Sequence, residues 1–114
     1  MGEARAHRHR RDGSMSYLVF CVLDLRAAHR EDRLSAYMDL ATLGLRRVVK
    51  SENGPDFKLP ATAVMGMFEG RNVDDVRTMI GAKVKSIFDA RGLEGEFFVV
   101  VSADWACAGE SIER

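Results

Sequence analysis

The chain has 114 residues, 46% hydrophobic and 30% charged, and a formal net charge of zero at pH 7. That is the size and composition of one ordinary globular domain. It lacks both a run of the ~20 apolar residues that span a bilayer and the apolar segment that follows the basic start of a secretory signal. A cytoplasmic protein without a membrane partner is expected.

Residues 1–16 carry Arg5, Arg8, Arg10 and Arg11 against Glu3 and Asp12, a local charge of +2 that leaves −2 for the remainder. With almost no apolar content, this stretch is expected to be a disordered basic tail, and His7 and His9 read as part of it. A folded part this acidic does not read as a strong nonspecific nucleic-acid binder, whose affinity would rest on many phosphate contacts. Any such role requires a local basic patch.

The first strand is expected over Tyr17 to about Leu25. A helix follows from about Glu31 to Leu43, with Leu34, Tyr37, Met38 and Ala41 on its apolar face. Gly44 is placed to stop it in the left-handed conformation. A second strand covers Leu45 to about Ser51. The Asn53-Gly54 turn signal leads to a third strand over about Lys58 to Phe68, with Pro60 near its start. Asn72 is suited to cap a second helix, and Asp74 and Asp75 to its positive end. Its buried stripe is Val76, Met79, Ile80, Val84, Ile87 and Phe88. Gly92 ends it, and a fourth strand runs from Glu96 to Ala103.

Strand, helix, Gly-Leu and strand therefore occur twice, with Gly44-Leu45 and Gly92-Leu93 in matching places. This predicts an α+β fold, a ferredoxin-like βαββαβ sandwich with a four-stranded antiparallel sheet and two helices on one face. The domain spans 17–105, followed by a flexible C-terminal tail over 106–114. Cys21 and Cys107 form no CxxC pair or disulfide framework, and Cys21 reads as a small buried hydrophobe.

The first strand is apolar on both sides, Tyr17, Val19, Cys21 and Leu23 on one and Leu18, Phe20 and Val22 on the other. Two helices cover only one face of a sheet, and a soluble monomer rarely exposes a large apolar patch. A symmetric homodimer packed through the second face is expected. The alternative is that the segment around Trp105 folds over it.

Asp24 is the leading chemical candidate. It follows seven apolar residues at the end of the first strand, where a rigid carboxylate could hold Mg²⁺; the simpler role is a turn cap. Arg26, His29, Arg30 and Arg33 could hold phosphates, with His29 an acid or base, or form a solvated loop and helix start. Arg46, Arg47 and Lys50 could be phosphate contacts or edge charges. Glu69 and Glu96 are expected at the Asp24 end of the sheet, the third strand being taken as parallel to the first. No Walker loop, GxGxxG, paired-histidine or nucleophilic-serine motif occurs, nor the aromatic RNA-stacking motif of RRM domains.

A strand ending Val22-Leu23-Asp24-Leu25, then a helix, Gly44-Leu45 and another strand, resembles a group of small nuclease-fold proteins. These are the CRISPR-associated small nuclease-fold subunit, the virulence-associated protein D toxins and the type V antitoxin endoribonuclease. The last is similar also in its glycine-containing turn, here Asn53-Gly54-Pro55-Asp56. The resemblance implies a ferredoxin-like dimer handling RNA or DNA, and in the first two families an Asp at the position of Asp24. It implies a metal-dependent endoribonuclease of toxin–antitoxin or CRISPR-associated type. Asp24 would be the catalytic Mg²⁺ ligand, and Arg26, Arg46, Arg47 and Lys50 would contact nucleic acid. The alternatives are a non-enzymatic dimeric module that binds a small ligand or a protein partner, and a small-molecule enzyme with a pocket lined by Tyr17, Tyr37 and Thr62.

Overall fold

A computed structural model describes residues 2–5, 15–26, 29–60 and 62–114. Its elements in chain order are β1 (Gly2–Arg5), β2 (Met15–Arg26), α1 (Arg30–Leu43), β3 (Val48–Val49), β4 (Phe57–Lys58), β5 (Ala63–Gly70), α2 (Val73–Ala90), β6 (Glu94–Ser102) and β7 (Ala106–Gly109). The fold is α+β. Its main sheet has three antiparallel strands in the order β5-β2-β6, and β1-β7 and β3-β4 form two small sheets.

The doubled Gly-Leu pair has a common physical cause. At the end of α1, Gly44 adopts φ 118°, its N–H donates to the Ala41 carbonyl, and the Leu45 N–H donates to the Leu40 carbonyl. At the end of α2, Gly92 adopts φ 60°, its N–H donates to Asp89, and the Leu93 N–H donates to Phe88. Both are Schellman caps, which need a residue tolerant of positive φ followed by an apolar one. At the other end of α2 the Asn72 side chain accepts from the Asp75 N–H at 2.8 Å, satisfying one of the orphan donors there.

One face of the main sheet is buried. Tyr17, Val19, Cys21 and Leu23 of β2 pack with Leu40, Leu45, Val64 and the α2 stripe of Val76, Ile80, Val84 and Phe88. Phe88 meets Phe97 of β6 with ring centroids 5.9 Å apart at 60°. Fully burying side chains such as Leu40 and Ile80 stabilises the fold by roughly 1.5–3 kcal/mol each.

Four expectations are corrected. The fourth sheet strand is reduced to a single bridge, Arg46 to Met65, after which the chain leaves to pair Val48–Val49 with Phe57–Lys58. The third strand starts at Ala63 rather than Lys58, because a turn in which the Ala63 N–H reaches the Pro60 carbonyl interrupts it. On α1 the buried residues are Ala36 and Leu40, while Leu34 and Met38 are exposed. Tyr37 of the expected stripe does pack against the core, so the buried face is turned toward Ala36 and Leu40 and leaves Leu34 and Met38 outside it.

The ends of the chain are the fourth correction. Met15 and Ser16 belong to β2, and Gly2–Arg5 pairs antiparallel with Ala106–Gly109, so strands occur where tails were expected. Position 1 and residues 6–14, including His7 and His9, lie outside the described residues. The two small sheets cover part of the second sheet face, and Trp105 lines a cleft there together with Leu18 and Met67. Val22, Phe98 and Val100 stay exposed. Among the described residues, no helix is long and apolar enough to cross a membrane.

Candidate functional site

Asp24 is an exposed residue of β2, on the face opposite the helices, two residues from the strand end. Its register partner on β6 is Glu96, so two carboxylates stand side by side on neighbouring strands. Asp24 also borders a cleft of about 320 Å³ whose walls include Arg30, Arg33, Tyr37, Arg47 and Thr62. The Arg47 guanidinium lies over the Tyr37 ring at 4.4 Å from its centroid. A cation on an aromatic face is attracted by the ring quadrupole, which fixes its direction.

Local charge follows from this arrangement. Arg30, Arg33 and Arg47 line this cleft and Asp24 stands at its border, while Arg33 and Arg47 also have partners within the protein. Arginine suits phosphate because its planar fork matches the oxygens.

The neighbouring Arg46 and Arg47 part company because Arg46 makes an isolated bridge to Met65 and Arg47 sits in the bend after it. Arg47 joins the Asp24 cleft, whereas Arg46 lines a different one together with Lys50. The Lys50 ammonium is paired with Asp56 at 3.0 Å, and that hydrogen bond, with a second from the Ser51 N–H, holds the Asp56 carboxyl below its ordinary range. Arg26 is exposed two residues beyond Asp24, in register with Glu94. His29 is the exposed N-cap of α1, and the wall of the cleft begins at Arg30.

Glu69 is at the wrong end of the sheet. β5 runs antiparallel to β2, so Glu69 pairs with Ser16 near the start of that strand. Of the two glutamates, only Glu96 is in register with Asp24.

Among the described residues, no three His, Cys, Asp or Glu side chains cluster as a metal cage. The donors at the site are Asp24 and Glu96. Mg²⁺ keeps several waters and commonly uses only one or two carboxylates together with substrate phosphates, so this pair fits that limited mode. Cys21 is buried, and burial pushes its thiol up to about 11. It is therefore an inert core residue and not a nucleophile.

The sequence reading missed a second, apolar cleft on the same sheet face, walled by residues such as Phe20, Phe57, Leu59 and Cys107. Its signal is the two-sided apolar character of β2, which the sequence explains by a dimer contact or by cover from the segment around Trp105.

Comparison of the chain with protein-family models, with curated proteins and with solved structures returns no match in any of the three.

Proposed function

We propose that the protein is a small, dimeric, ferredoxin-like nucleic-acid-associated protein that grips an RNA backbone in the Asp24 cleft. The observation that carries this reading is the convergence of Arg30, Arg33 and Arg47 on the cleft that Asp24 borders. The Arg46–Met65 bridge, in the place of a fourth strand beside β5, supports the ferredoxin-like assignment. The exposed Val22, Phe98 and Val100 support a second copy on the open face.

In this reading the three arginines bind and orient phosphates, and Asp24 with Glu96 would hold Mg²⁺. When bound, that ion supplies activated water and charge stabilisation for phosphodiester cleavage. Asp24 stands on a regular strand, so its carboxylate is positioned by a rigid element.

A second reading is binding without cleavage, by a non-enzymatic dimeric module. Its supporting observation is the donor set, two carboxylates with no third ligand among the described residues.

The test is a salt titration of binding to a labelled single-stranded RNA. Three phosphate contacts give a slope of log K against log salt of about −2. Arg33→Ala and Arg47→Ala should each flatten it by roughly 0.7. A wild-type protein that does not bind RNA at low salt contradicts both readings of the cleft as an RNA site.

A further inference from the structure

The Asp24 cleft is not wholly polar. Beside Arg30, Arg33 and Arg47 its wall includes Leu25, Leu34 and Tyr37. Leu34 is 46% exposed, on a helix that turns Ala36 and Leu40 into the core. Phosphate oxygens are recognised by charge and hydrogen bonds, so a site for phosphate alone has no use for this apolar wall.

The Arg47–Tyr37 pair is the second observation. Tyr37 packs against the core, and its ring carries the Arg47 guanidinium at 4.4 Å from the centroid. The Arg47 Nε is buried, so the group is held in place rather than swinging in solvent. A guanidinium is planar, and its N–H groups point outward in that plane. Partners within the protein that meet those N–H groups engage its edge and leave its faces for stacking. Tyr37 takes one face.

We infer that this cleft holds an unpaired nucleobase, stacked on the other face of the Arg47 guanidinium and against Leu34, with the attached phosphate toward Arg30 and Arg33. The inference rests on the reading of the cleft as an RNA site, and adds that a base is bound as well as the backbone. A base is flat, apolar on its faces and uncharged. It therefore suits the Leu34 wall and does not oppose the Asp24 carboxylate, while the phosphate meets the cations. At about 320 Å³ the cleft is at the lower end of the range for small-ligand sites, room for one base rather than a run of them. Every base has a π-face, so the contact is tolerant of sequence. A base stacked inside a duplex cannot reach it.

The test is filter binding at low salt with octaadenylate and with an oligomer of the same length built from stable abasic riboses, which keeps every phosphate. Octaadenylate should bind about tenfold tighter, the size of one stacked base. Leu34→Ala, at an exposed helix position, should cut that preference to about threefold or less and leave the abasic oligomer unaffected. Arg47→Lys keeps the charge and loses the plane, so the preference should fall while the salt dependence of the abasic oligomer stays. Tyr37→Phe keeps the ring and should keep the preference. Circular dichroism checks each fold, and Leu34→Ala decides alone if Arg47→Lys does not fold. Equal affinity of wild type for the two oligomers would overturn the base site and leave the phosphate reading standing. Binding of neither would overturn both. A preference that survives in the folded variants at Leu34 and Arg47 would place the base elsewhere and overturn the inference.

Discussion

Gly66 of β5 lies directly against the carbonyl of Gly44, the residue that ends α1. A Cβ at position 66 would run into that backbone oxygen and also press on the Phe68 ring. Neither backbone can move readily, because Arg46 and Met65 beside them exchange both N–H···O bonds at 2.9 Å. Gly66→Ala should therefore destabilise the protein by about 1–3 kcal/mol through overpacking. Urea melts of the variant and wild type measure this. A neutral substitution would mean that the Gly44 turn is not seated on β5.

Arg91, which follows α2, grips Asp39 of α1 through two hydrogen bonds, Nε to Oδ2 at 2.6 Å and a terminal nitrogen to Oδ1 at 3.1 Å. These bonds hold the Asp39 carboxyl below its ordinary range and raise Arg91. A carboxyl whose folded pKa is depressed adds stability above its unfolded pKa and loses it as pH falls through the folded value. Asp39→Asn should thus lower Tm at pH 7 by no more than about a few degrees. The gap should close as pH drops below about 4. Both groups reach solvent, so salt should also narrow it. Thermal melts at the two pH values decide, and a gap that widens on acidification contradicts the pairing.

The Glu3 carbonyl accepts the Glu52 N–H at 3.1 Å, and its carboxylate accepts the Asn53 amide at 3.2 Å. With the ladder to β7, these bonds tie β1 into the fold. The buried core, however, begins at Tyr17. Deleting residues 1–14 should speed amide exchange at Ala106–Gly109 and lower Tm by about a few degrees only. Unchanged exchange at those amides would mean that β1 is not paired in solution.

Phe98 is 68% exposed and adjoins Val22, its register partner on β2. In the proposed dimer this patch is covered by the second copy. Wild-type protein should scatter light as a dimer at micromolar concentration. Phe98→Glu should be a folded monomer, since the charge is tolerated in water but not in a buried apolar contact. Phe20→Glu is a poorer probe, because Phe20 walls the apolar cleft and its replacement would disturb packing within the chain. A monomeric wild type contradicts the dimer.

The helices were legible because their signals are local. Asn72, Gly44 and Gly92 act through bonds to residues at most five positions away. The α2 stripe was legible because one long helix has one buried face. On α1 the exposed Leu34 and Met38 carry the same periodic signal as a core, and only the sheet beneath decides which stripe is buried. The short strands β1, β3, β4 and β7 left little pattern, since two to four residues cannot establish alternation. Asp24 was visible as a break in an apolar run. That Arg47 rather than Arg46 lines the same cleft was not, because it depends on the bend that follows the Arg46–Met65 bridge. Glu69 failed for a similar reason, the direction of β5.

The most direct measurement of the central claim is cleavage of labelled RNA by purified protein with Mg²⁺ or with EDTA, for wild type and Asp24→Asn. Asparagine keeps the shape of the side chain but is a much poorer Mg²⁺ ligand. The account predicts cleavage by wild type with Mg²⁺ only, and none by Asp24→Asn, whose fold and RNA affinity are retained because Arg30, Arg33 and Arg47 are intact. Cleavage that survives Asp24→Asn, or its absence in wild type on every RNA tried with Mg²⁺ or Mn²⁺, would contradict a catalytic role for Asp24.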